Sequence, residues 1–206
     1  MKWHQFLFLL AGIALSGCAA DKPDAATSHL CCVKAEAPGA FTDKSIYQTD
    51  SSWTNDAGKQ MKLGALRGRS QIVAMFFAKC EYACPILVHD MKRIESALPE
   101  TLRAQTGFVL VSFDTERDTP AALRAYRTQQ SLDAARWTLL RGDADNVLEL
   151  AALLGVKFKQ DARGQFAHSN LITVLDSNGE IIHQQVGLNG TVEETVQAIA
   201  RAAGKP

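Results

Sequence analysis

The stretch QIVAMFF at 71–77 is an unbroken apolar run of strand length, and it leads directly into Ala78-Lys79-Cys80-x-x-x-Cys84-Pro85. A strand that is apolar on both faces has to be covered on both sides, so it belongs in the middle of a sheet rather than at its edge. The residues after Pro85 supply part of that cover. Ile86, Leu87, Met91, Ile94 and Leu98 recur at helical spacing and stop before Pro99. GFVLVSF at 107–113 then reads as a second buried strand. Two cysteines therefore sit where a core strand hands over to its helix.

The remaining segments fill out an α/β domain. Residues 45–66 read as two short strands around the Asn55-Asp56-Ala57-Gly58 turn. Thr119 and Pro120 open a helix as N-cap and first helical residue. Residues 143–155 read as another helix, closed by Gly155. NLITVLD (170–176), the Ser177-Asn178-Gly179 turn and EIIHQQVG (180–187) form a hairpin, and a last helix runs from about Thr191 to Ala203. This order is that of a thioredoxin-like fold: a central mixed sheet flanked by helices, here with an N-terminal β-hairpin extension. No repeat and no second core interrupts it.

The first 44 residues read differently. Lys2 precedes an apolar run from Phe6 to Leu15 that is too short for a permanent membrane helix, and the run ends in Leu15-Ser16-Gly17-Cys18. This resembles the bacterial lipoprotein box, with residues 1–17 as the signal peptide and Cys18 as the lipidated first residue of the mature chain. Ala19 after the cysteine resembles Gram-negative lipoproteins directed to the outer rather than the inner membrane. Residues 18–44 lack apolar periodicity and read as a flexible tether to a domain at 45–206. Within the tether, His29, Cys31 and Cys32 form either an accessory soft-metal or thiol-exchange site or an inert vicinal pair. The location is the periplasmic side of the envelope, held by a lipid anchor. A net charge of zero without a basic block gives no electrostatic footprint for nucleic acid.

Cys80 and Cys84 admit three readings: a structural staple, a redox disulfide, or two thiolate ligands for a metal. Positions four apart on a helix lie about 6 Å apart, within disulfide reach, but so small a loop restrains the unfolded chain little. Reactivity fits the position better. Unpaired amides at the helix start, where Cys84 precedes Pro85, favour a thiolate, and Lys79 adds positive charge nearby. A metal needs further ligands. His89 lies on the helix and His183 within a strand, whereas His168 directly precedes a core strand. Met75 and Met91 fall on core faces. Two thiolates with one imidazole suit Cu(I) better than a four-ligand structural zinc.

Three motifs in order carry a resemblance that covers about Ser45 to Gly190. They are Cys80-x-x-x-Cys84-Pro85, the block VSFDTERDTPAALRAY, and His168 ahead of a strand ending in Leu175-Asp176. Together they resemble the Sco (SenC) proteins, copper chaperones of cytochrome c oxidase assembly with a thioredoxin-like fold. The resemblance implies one copper, Cu(I) or Cu(II), held by Cys80, Cys84 and His168, with the two cysteines also able to cycle as a redox pair. It implies as partner the copper-bearing subunit of the oxidase, whose CuA site would receive the metal, or another copper carrier. A periplasmic thiol–disulfide oxidoreductase is the alternative. Asp114 is either an outer hydrogen-bond acceptor for the site or a turn residue; Arg117 and Asp118 fix the loop and the helix start. Ala78, Glu81 and Thr115 depart from the family's usual Thr, Pro and Pro, which leaves the ligand set intact.

Overall fold

The computed structural model describes residues 40–204. Cys18, His29, Cys31, Cys32 and the signal and tether segments up to residue 39 lie outside them. Among the described residues no helix is long and apolar enough to cross a membrane.

A hairpin comes first, β1 (Ser52–Asn55) and β2 (Gln60–Lys62), followed by the central β3 (Ser70–Phe76). Then come α1 (Ala83–Ala97), the short α2 (Glu100–Ala104), β4 (Thr106–Ser112), α3 (Pro120–Gln129) and β5 (Trp137–Arg141). The chain ends with α4 (Ala144–Leu154), β6 (Phe158–Gln160), β7 (Phe166–His168), β8 (Leu171–Leu175), β9 (Ile181–Val186) and α5 (Glu193–Ala203). Seven strands form one sheet in the order β2-β1-β5-β4-β3-β8-β9, parallel at β3–β4 and β4–β5 and antiparallel elsewhere. This is the mixed sheet with an N-terminal hairpin that the sequence leads one to expect.

Every residue of β3 and β4 is buried. Side chains alternate between the two faces of a strand, so both faces of these two are covered, which explains their unbroken apolar runs. Leu87, Met91 and Ile94 put the buried stripe of α1 into this core, and Met75 and Met91 are packing residues there. Thr119 accepts from the amide of Ala122 and so caps α3, while Gly155 closes α4 in the left-handed conformation. Ahead of Ser45, Phe41 already packs edge-on against Tyr47 and lies under the Arg67 guanidinium.

β6 and β7 form a separate two-stranded sheet, which the sequence pattern does not announce. Residues 161–164 turn between them, with Gly164 at a positive φ of 75°. His168 is therefore not in a loop. It is the last residue of this small hairpin, just ahead of β8.

Candidate metal centre

Cys80 and Cys84 occupy the junction between β3 and α1, and both are free thiols. Cys84 is the second residue of α1 and fully buried, whereas Cys80 precedes the helix and is half-buried. The N-cap residue, Tyr82, offers α1 no side-chain acceptor. Instead the amide of Cys84 donates to the sulfur of Cys80, 3.3 Å away. A thiolate at Cys80 thus meets one of the amides that every helix start leaves without an internal partner.

This geometry splits the pair. The Cys84 side chain, donating a hydrogen bond, pulls the Cys80 thiol down to about 4, with the backbone amides of Cys84 and Tyr82 acting in the same direction against partial burial. Cys84 is pushed up, first by donating a hydrogen bond to Cys80, which holds the proton on it, and then by burial. The sequence suggests Cys84 as the thiolate, because it stands at the helix start. The structure reverses this: helix amides point backwards along the chain, towards Cys80, and Cys84 is enclosed. Lys79 is not among the groups that shift either thiol.

His168 brings the third donor atom. Its Nε2 lies 3.6 Å from the sulfur of Cys84, and the three donor atoms all fall within 4.8 Å of one another. Its Nδ1 lies 3.0 Å from the carbonyl oxygen of Ser169. A carbonyl only accepts, so Nδ1 donates there, which leaves Nε2 as the nitrogen that faces the sulfurs and can serve a metal. The imidazole packs against the rings of Phe113 and Phe77, at 5.1 and 6.3 Å between centroids. Metal–ligand bonds of about 2.0–2.3 Å would set such donors roughly 3.5–4 Å apart, so a small contraction closes the site. Two sulfurs and one imidazole make a soft, low-coordinate set. Among the described residues it is the one such cluster that could hold a metal.

The Asp114–Asp118 turn braces both sides of this set. Asp118 accepts from the amide of Ala78 at 2.9 Å and from the hydroxyl of Ser112 at 2.5 Å, which ties the cysteine loop to the end of β4. Asp114 is buried and turned towards Arg117, pairing with both its amide and its guanidinium. The turn role therefore describes Asp114, and the contact with the cysteine loop belongs to Asp118. His89 is exposed on α1 and His183 lies on β9, apart from the cluster. The aromatic wall of Phe77 and Phe113 around His168 is absent from the sequence reading. Its only sequence signal was that each of these residues extends a buried strand by one position.

Comparison with known proteins adds to this geometry. The model of the SCO1/SenC family matches residues 40–204. The chain belongs to the SCO1/SenC family. Among curated relatives, a Stutzerimonas stutzeri protein provisionally described as copper-binding is 29% identical over 120 residues; the match spans 56% of this chain but only 57% of that protein. Two solved SCO1/SenC structures share the fold. A SCO1/SenC lipoprotein of Bacillus anthracis has a TM-score of 0.69 at 21% identity, covering 80% of this chain and 99% of that one. ScoI of Bradyrhizobium japonicum, solved with copper bound, has a TM-score of 0.59 at 23% identity, covering 74% and 96%.

Proposed function

We propose that this SCO1/SenC protein binds one copper ion through Cys80, Cys84 and His168 and delivers it to the CuA site of a cytochrome c oxidase. The observation that carries the reading is the convergence of two thiols and one correctly presented imidazole within 4.8 Å. The copper-bound Bradyrhizobium relative and the copper-binding description of the Stutzerimonas relative support it. Cys80 and Cys84 also form a redox pair. Their disulfide has no thiolate to offer, so oxidation by an electron acceptor and copper binding exclude each other. Lipidation of Cys18 holds the domain to the envelope on its periplasmic side, in keeping with the lipoprotein from Bacillus anthracis.

The low-lying thiol of Cys80 favours a second reading, a thiol–disulfide oxidoreductase acting on exported or oxidase cysteines. Anaerobic titration of the reduced protein with Cu(I) separates the two. One equivalent bound tightly, with a large loss of affinity in His168→Ala, is expected for copper transfer. Unchanged affinity in that variant, together with full rescue of oxidase assembly by it, favours the redox reading and overturns the ligand set.

A further inference from the structure

We infer that Arg117, clamped by Asp114, is the positioning residue that holds the His168 hairpin against the cysteines. The inference rests on the copper reading above and concerns how that site is assembled.

β6 and β7 share no ladder with the seven-stranded sheet. The main sheet takes up the chain only from Asn170, whose carbonyl accepts from the Gly187 amide, and so does not by itself set the imidazole of His168. Two kinds of contact do so instead. One is apolar: Phe158 and Phe166 pack on Phe113, at 5.2 and 5.0 Å between centroids. The other is polar and runs through one side chain. Arg117 donates to the carbonyl of Gly164, at the turn of the hairpin, and its guanidinium lies 5.8 Å from the centre of the Phe166 ring. The same guanidinium pairs with Asp114, whose carboxylate is buried and also takes the amide of Arg117. Arginine suits this place because its rigid planar fork offers separate nitrogens to two acceptors, Nε to Asp114 and Nη2 to Gly164, where a lysine has a single nitrogen. The turn of the hairpin is fitted to it: a Cβ on Gly164 would stand 3.0 Å from Nη1 of Arg117.

The chain of contacts thus runs from the end of β4 through Asp114 and Arg117 to Gly164, and along β7 to His168. Apolar packing by itself allows a short hairpin to slide across its aromatic bed. The clamp at its turn removes that freedom and sets the distance of the imidazole from the two sulfurs.

The test replaces both partners, Asp114→Asn with Arg117→Met, so that no buried carboxylate is left alone. In the metal-free wild-type protein the ring of Phe113, 5.1 Å from the imidazole, is expected to displace the His168 Cε1 proton signal. The paired replacement is expected to move that signal to the position of an exposed histidine while those of His89 and His183 stay in place. Cu(I) affinity, measured by chelator competition, should fall about tenfold, as for other residues that orient a ligand. In a His168→Ala background the same replacement should change affinity less than twofold. A His168 signal that does not move, or an equal loss of affinity in both backgrounds, overturns the inference. Should the paired variant not fold, Arg117→Lys keeps a charge beside Asp114 but cannot also span to Gly164, and the same two readouts apply. A wild-type protein that takes up no Cu(I), yet shows the shift of the His168 signal, refutes the copper reading and leaves the positioning role standing.

Discussion

The sulfur of Cys84 and the Nε2 of His168 lie 3.6 Å apart although 84 residues separate them in the chain. The cysteine arrives on the helix that follows a fully buried strand, the histidine on a hairpin outside the main sheet. Their meeting is what turns a pair of thiols into a set of metal donors.

The split between the two thiols has a measurable pH signature. With Cys80 pulled down to about 4, it is already a thiolate at neutral pH. Its alkylation by iodoacetamide should be nearly constant between about pH 6 and pH 8 and decline only as pH falls towards that value. In Cys84→Ala the main stabilising hydrogen bond is gone. The alkylation midpoint should then climb towards the ordinary thiol range, about 8.5. A rate at Cys80 that follows the ordinary thiol curve in the wild-type protein counts against the arrangement.

Asp118 anchors the cysteine loop, and its removal should be felt in stability. Asp118→Ala leaves the Ala78 amide and the Ser112 hydroxyl without their partner, a loss of about 1–3 kcal/mol by urea denaturation. Burial raises the carboxyl of Asp118 above the usual carboxylate range. Between those two values the folded state holds a proton that the unfolded state has released. The contribution of Asp118 therefore makes stability fall as pH rises through that window. Asp118→Asn should flatten this part of the profile.

Phe113 joins the core to the site. It touches the rings of Phe77, Phe158, Phe166 and His168 and is buried. Phe113→Ala should cost about 3–5 kcal/mol. Phe113→Leu, which keeps most of the volume, should cost less while still weakening Cu(I) binding. Equal copper affinity in the wild type and Phe113→Leu would show that the aromatic wall does not hold the imidazole.

Copper should stabilise the fold by mass action. At a free Cu(I) concentration one hundred times the dissociation constant, the gain is about 2.7 kcal/mol. In a domain of this size that corresponds to roughly 5–11 °C in melting temperature. Prior alkylation of Cys80, or oxidation to the Cys80–Cys84 disulfide, should abolish the shift. Calorimetry with and without the metal measures it directly.

Much of this was legible in the sequence, wherever one local pattern had one physical cause. The runs at 71–77 and 107–113 became β3 and β4 because burial on both faces leaves no room for alternation. Thr119, Pro120 and Gly155 marked helix ends because capping is chemistry within a few residues. β5 escaped notice: Trp137–Arg141 has five residues with an arginine at its end, and only its neighbours in the sheet make it a strand. The β6–β7 hairpin was missed for a similar reason, since its strands have three residues each and only Gly164 signals the turn. Within the site, the types of the candidate donors were readable from the motifs. Which cysteine is ionised was not, because that depends on the direction of amides and the depth of a side chain. Likewise, the sequence left open which acidic residue of the 114–118 turn meets the cysteine loop.

The separate β6–β7 ribbon gives the site two unequal halves. Cys84 cannot move without disturbing α1 and a residue with no exposed surface. His168 can withdraw without breaking a single rung of the seven-stranded ladder, since its ribbon belongs to another sheet. Losing the imidazole thus costs its contacts with Phe113 and Phe77 and those of its ribbon, but not the ladder of the main sheet. A metal site built this way has a fixed grip and a releasable one, and the second can open while the domain stays folded.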